Sequence, residues 1–152
     1  MKKKILLALP ALAILIQFVP APAKTNPPVD PARTFAAVMK PPAEVQAVLQ
    51  RACADCHSNE TKWPWYADVA PFSWPVRKHV IDGRKHLNFS EWLKPGETVF
   101  SNWSDLEDIG KSVQDKSMPL FGYDWMHAEA KLTAAERELL VKWADSAIGG
   151  PK

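Results

Sequence analysis

The stretch Cys53-Ala54-Asp55-Cys56-His57 limits what this chain can fold around, and it holds both of the chain's 2 cysteines. A C-x-x-C-H run is the pattern of covalent c-type haem attachment. Two thiols add to the two vinyl groups of the porphyrin and become thioethers, and the following histidine faces the iron as proximal ligand. The two intervening residues set the sulfurs about one helical turn apart, near the vinyl separation. The expected cofactor is therefore one haem c, held by Cys53 and Cys56 with His57 on the iron. No other cysteine is present, so a disulfide framework is excluded.

The first residues carry an address. Met1-Lys2-Lys3-Lys4 precedes an apolar run from Ile5 to Val19, and Ala21-Pro22-Ala23 follows. A basic start, a short apolar stretch and an A-x-A site predict a secretory signal peptide over residues 1–23. The run is 15 residues long with Pro10 and Gln17 inside it, whereas a spanning helix needs ~20. The alternative is an uncleaved segment that tethers the protein to a membrane. Cleavage after Ala23 removes Lys2, Lys3 and Lys4 and takes the formal charge from +2 to −1. The basic balance is then no argument for nucleic acid, and no RNA-binding motif appears. The expected location is periplasmic or otherwise exported. That suits the motif, because haem-attachment machinery outside the cytoplasm meets thiols that would otherwise oxidise.

Residues 24–42 hold Pro27, Pro28, Pro31, Pro41 and Pro42 and read as an extended tether with one helical turn near Phe35–Met39. The domain proper is expected over residues 43–152. A helix over 43–54 places Val45, Val48, Leu49 and Ala52 on one face and delivers the cysteines at its end. A second helix is expected from Ser73 to about Leu87, carrying His79 and His86 seven apart. Ser104-Asp105-Leu106-Glu107 and Thr133-Ala134-Ala135-Glu136 both read as capping boxes. They open helices with Leu106, Ile109 and Val113, and with Leu139, Leu140, Trp143 and Ala147, facing inward. No strand pattern is visible, so the fold class is all-α, four to five helices with proline-rich loops.

Trp63, Trp65, Tyr66 and Trp74 crowd the stretch after the motif. They fill a core or wall a porphyrin against water. In the loop before the last helix, Met118-Pro119 offers a thioether that favours ferrous iron. Met118 is the expected sixth ligand. His79 is the alternative, and Met126 and His127 are runners-up. Arg84 or Lys85 could pair with the propionates.

The segments Cys53-Ala54-Asp55-Cys56-His57-Ser58-Asn59-Glu60-Thr61, Trp63-Pro64-Trp65-Tyr66, Ala70-Pro71, Ser73-Trp74, His79-Val80, Gly83-Arg84, Leu87-Asn88-Phe89-Ser90-Glu91-Trp92 and Met118-Pro119 together resemble a bacterial family of small exported haem-binding domains with one C-x-x-C-H. The helix leading into the motif resembles class I cytochromes c. The resemblance spans roughly residues 43–148 and implies a cytochrome c-like bundle around one haem. It also implies that the tryptophan-rich insert belongs to the family.

Three functions follow in order. The first is a monohaem cytochrome passing single electrons to redox partner proteins, a carrier rather than a catalyst. The second is a haem enzyme or gas sensor, with an open sixth site attended by His79 or Arg84. The third is a dithiol or zinc site, disfavoured because no βαβ context or fourth ligand is visible.

Overall fold

The computed structural model describes residues 2–149, and every regular element among them is helical. The helices are α1 (Lys2–Leu15), α2 (Phe35–Met39), α3 (Ala43–Ala52), α4 (Ala54–His57), α5 (Ser73–His86), α6 (Trp103–Gln114) and α7 (Ala134–Ile148). Short 3-10 turns join them. The all-α expectation is met, with more and shorter helices than the sequence suggested.

Helix α3 buries Val45, Val48, Leu49 and Ala52, the face its spacing predicts. It does not run on to residue 54. The backbone leaves the helical region at Cys53 (φ −126°), and α4 restarts at Ala54. Cys53 occupies the break itself, and Cys56 lies within α4. Helix α6 buries Leu106, Ile109 and Val113. Its start lies upstream of the expected cap. A 3-10 turn over Val99–Asn102 runs straight into it, with the Thr98 N–H donating to Ser101 Oγ at 3.1 Å, so Ser104 sits inside the helix. The Thr133–Glu136 capping box at α7 is formed as expected.

Helix α7 packs chiefly against α6 and only secondarily against α3. A Cβ at Gly110 would lie 3.3 Å from Ala144 Cβ, which marks where the two helices cross closely. Arg51 ties α3 to this pair, bonding to the Glu129 carbonyl and the Glu136 carboxylate. The contact expected between the first domain helix and the last is therefore present, but it is not the main seam.

Residues 24–42 differ most from expectation. They are docked, not free. Phe35 is 4% exposed in the centre of the core. Its ring meets Trp92 edge-on at 4.8 Å and Trp143 at 5.6 Å. Proline content hid this, since α2 is too short to show a period. Truncating a buried phenylalanine costs about 3–5 kcal/mol. Phe35→Ala is thus expected to lower the urea midpoint by that equivalent, whereas a change in a free tether stays within about 0.5 kcal/mol.

Candidate haem site

Helices α3 and α4 deliver the C-x-x-C-H residues to one wall of a cavity of about 360 Å³. Cys53, Cys56 and His57 line it, with Leu87 beyond the end of α5 and Ile109 and Val113 from α6. Met118 lines it too, with Pro119 and Leu120, and His79 reaches it from α5. The two leading candidates for the sixth ligand therefore face the same space as His57. His86 also lines this cavity, as do Asp82, Asp105 and Asp108.

Both cysteines are free thiols. Burial, and then the neighbouring Cys56, push the Cys53 thiol up to about 12. Burial, and then Asp55, push Cys56 up to about 11. Both remain neutral thiols at physiological pH. Dithiol exchange and zinc binding both use thiolate, so this environment disfavours those chemistries. Among the described residues, no three His, Cys, Asp or Glu side chains are grouped to hold a bare metal ion.

His57 is oriented for one nitrogen to be used. Its Nδ1 lies 3.1 Å from the Leu87 carbonyl oxygen. A carbonyl can only accept, so Nδ1 carries the proton and Nε2 keeps its lone pair. Burial lowers the imidazole's proton affinity, while the Leu87 and Gly83 carbonyls pull the other way. Fixing a ligating histidine through its second nitrogen is how proteins set tautomer and ring angle at metals. The residues present fit a haem iron on Nε2.

Gly83 makes this possible. A Cβ there would sit 2.6 Å from the Cys56 carbonyl oxygen, closer than side-chain carbons approach. Helix α5 thus rests directly on the motif's backbone. The Gly83 carbonyl also accepts the Leu87 N–H at 2.9 Å, placing the residue that holds His57. Gly83→Ala must push α5 off α4. Overpacking of this kind costs about 1–3 kcal/mol. The expected result is a lower unfolding midpoint together with a reduced haem content per chain.

The segments that carried the resemblance interlock. The Asn59 N–H donates to Ser90 Oγ at 3.0 Å, and Asn59 Nδ2 donates to Glu91 at 2.9 Å. Asn88 Nδ2 donates to Asn59 Oδ1 at 3.0 Å. Ser58, Asn59, Thr61 and Ser90 are all buried. This clamp holds the loop after the motif against the turn after α5. Arg84 completes it, donating to the Ser58 carbonyl at 2.6 Å, Thr61 Oγ1 at 2.7 Å and the Thr25 carbonyl at 2.7 Å. Its guanidinium is committed to backbone and loop oxygens, which corrects its reading as a propionate partner or catalytic group.

A second cavity of about 350 Å³ adjoins the first and shares Cys56, His79, Leu120 and Tyr123 with it. Trp63, Trp65, Tyr66 and Phe72 line it. The aromatic cluster therefore walls the crevice beside the motif. Trp74 is the exception and turns away, its Nε1 donating to the Val19 carbonyl at 3.4 Å. Sequence reasoning missed the wall's polar side. The Tyr123 hydroxyl donates to Asp55 at 3.2 Å, and its ring stacks on His127 at 4.2 Å. His127 Nε2 in turn lies 2.6 Å from the Tyr66 hydroxyl. That nitrogen is engaged, and Met126 lines only the second cavity, so neither runner-up lies with His57. Only the 3-10 turn at Tyr123–Trp125 brings tyrosine and histidine together, and no period in the sequence announces it.

Comparison with known proteins agrees with the cavity. No curated protein and no solved structure matches the chain. A match to the haem-binding domain family covers residues 11–146, including the motif, the clamp and the Met118 loop. The protein that folds this crevice around a fixed imidazole and two neutral thiols belongs to the haem-binding domain family.

Proposed function

We propose that this haem protein is a monohaem c-type cytochrome that carries single electrons outside the cytoplasm. Cys53 and Cys56 hold the haem through two thioethers, His57 Nε2 ligates the iron, and Met118 supplies the sixth ligand. Haem so held exchanges one electron between its ferric and ferrous forms. The observation that carries the reading is that His57, anchored through Nδ1, and Met118 line one cavity. The chain's own residues have a modest task, because outer-sphere transfer needs no acid or base. The Leu87 carbonyl orients His57, the aromatic wall bounds the adjoining crevice, and α6 lines the cavity with Ile109 and Val113.

Export and attachment go together in this proposal. Haem-attachment machinery acts on the two reduced thiols, and redox partner proteins meet the finished cytochrome in the periplasm or its equivalent. The test is haem staining that survives denaturing electrophoresis, followed by the visible spectrum of the reduced protein. A stained band and a sharp α-band of six-coordinate low-spin haem are expected. A high-spin spectrum overturns the electron-carrier reading.

One observation favours a second reading, a haem enzyme or gas sensor. His79 is exposed and lines both cavities, where a distal acid–base group would be wanted. Rapid carbon monoxide binding by the reduced protein would support that reading, and slow or absent binding would count against it.

A further inference from the structure

We infer that the N-terminal segment is not discarded but stays on the protein. It enters the bilayer through the apolar residues 5–16 and holds the haem domain against the membrane by a fixed neck over residues 17–26. This rests on the export reading and is independent of the haem chemistry.

The neck is stitched to the domain by side chains on both sides of the supposed cleavage point. Gln17 pairs with one backbone unit, its Nε2 donating to the Ala70 carbonyl at 3.1 Å and its Oε1 accepting the Ala70 N–H at 3.0 Å. Arg77 donates to the Pro22 carbonyl at 2.9 Å, and Lys24 pairs with Asp68. Asn26 Nδ2 donates to the Thr61 carbonyl at 2.9 Å, close to the haem motif. A leader removed on export has no use for a two-point bond to the domain it leaves.

What surrounds α1 follows from its surface. Leu9, Leu12, Ile14, Leu15 and Phe18 are all more than half exposed. At 100° per residue Leu9, Leu12, Ile14 and Leu15 spread over more than half the circumference of α1, and Pro10 and Ala13 fill the remaining arc, so no polar stripe is left. A helix apolar all round suits lipid rather than a protein groove. No helix among the described residues is long and apolar enough by itself to cross a membrane. With Lys2, Lys3 and Lys4 at the headgroups and Gln17 on the domain, the apolar part from Ile5 to Ile16 reaches roughly 18 Å, against a hydrocarbon thickness of ~30 Å, so the crossing draws on lysine snorkelling and local thinning of the bilayer. Lys2, Lys3 and Lys4 complement anionic headgroups and favour a cytoplasmic N-terminus, which leaves the domain on the outer side. Phe72, 59% exposed, and Val69, 37% exposed, flank the Ala70 unit that Gln17 grips, and so present an apolar tip to the bilayer surface.

The experiment uses the full chain expressed in a Gram-negative host with haem-attachment machinery. Membranes are washed with alkaline carbonate, and intact masses are measured in the pellet and supernatant. The expected result is a chain starting at Met1 that stays in the pellet. A chain starting at Lys24 in the soluble fraction overturns the proposal, as does a Met1 chain released by carbonate. Haem stain in either fraction reports the haem reading separately. The neck has its own test in Gln17→Ala. Amide exchange at Ala70 should rise at least ~10-fold while the anchor holds, the loss of about one hydrogen bond. Unchanged exchange overturns the fixed neck.

Discussion

A chain with Cys53 and Cys56 both replaced by alanine is expected to lose every trace of haem stain after denaturing electrophoresis. The reason lies in where the two thiols sit. Cys53 occupies the break between α3 and α4, Cys56 lies within α4, and both face the cavity that His57 lines. Burial holds both protonated, which disfavours service as metal-binding thiolates. Each single variant should keep one thioether and so keep the stain. Its reduced α-band should move to longer wavelength, because one vinyl stays conjugated with the ring. The double variant can still bind haem through His57, whose tautomer depends on Leu87 and not on the cysteines. Visible absorbance under native conditions with none after denaturation is therefore the expected pair of results. Stain persisting in the double variant would exclude the proposed attachment. No stain in the unaltered chain would leave a haem protein without covalent haem.

The long, regular elements were legible in the sequence, and the short ones were not. The inward faces of α3 and α6 follow from 3.6-residue spacing, and the structure buries the predicted residues. The Thr133–Glu136 box is legible because both partners lie within one turn. Phe35 was not legible, because its role depends on Trp92 and Trp143, more than fifty residues away. The same limit applied to Arg84. Its charge suggested an anion, yet its partners are carbonyls and hydroxyls of loops brought to it by folding. In the site, Cys53, Cys56 and His57 could be read from spacing alone. Gly83 stood in the family-like motif, but its reason, a backbone pressed onto Cys56, is a fact of three dimensions. The Tyr66–His127–Tyr123–Asp55 wall joins three separate stretches and leaves no local pattern.

Met118→Ala is expected to convert the reduced protein from a low-spin to a high-spin spectrum, and His79→Ala is expected to leave it low-spin. The difference between them is preorganisation. Helix α6 ends at Gln114 with Asp115 as its C-cap, and Lys116 adopts a left-handed conformation (φ 63°) ahead of Met118, which lines the cavity. Both backbone groups of Met118 are then tied. Its N–H donates to the Ser112 carbonyl at 3.1 Å, and its carbonyl accepts from Arg137 at 3.1 Å. The same Arg137 nitrogen donates to the Val113 carbonyl at 3.0 Å, which fixes the loop to the end of α6. A half-buried thioether held on such a loop loses little freedom on binding iron. His79 lies on the exposed side of α5 and would give up hydration as well as rotamer freedom. A thioether favours ferrous iron, so removing it should lower the reduction potential. A fall beyond ~59 mV is expected, the tenfold step for one electron. Carbon monoxide binding should become fast in Met118→Ala alone. If His79→Ala instead abolishes the low-spin band, the imidazole is the sixth ligand. The potential of the unaltered protein then belongs in the lower range of bis-histidine haem, and Met118 is left as a lining residue of the cavity.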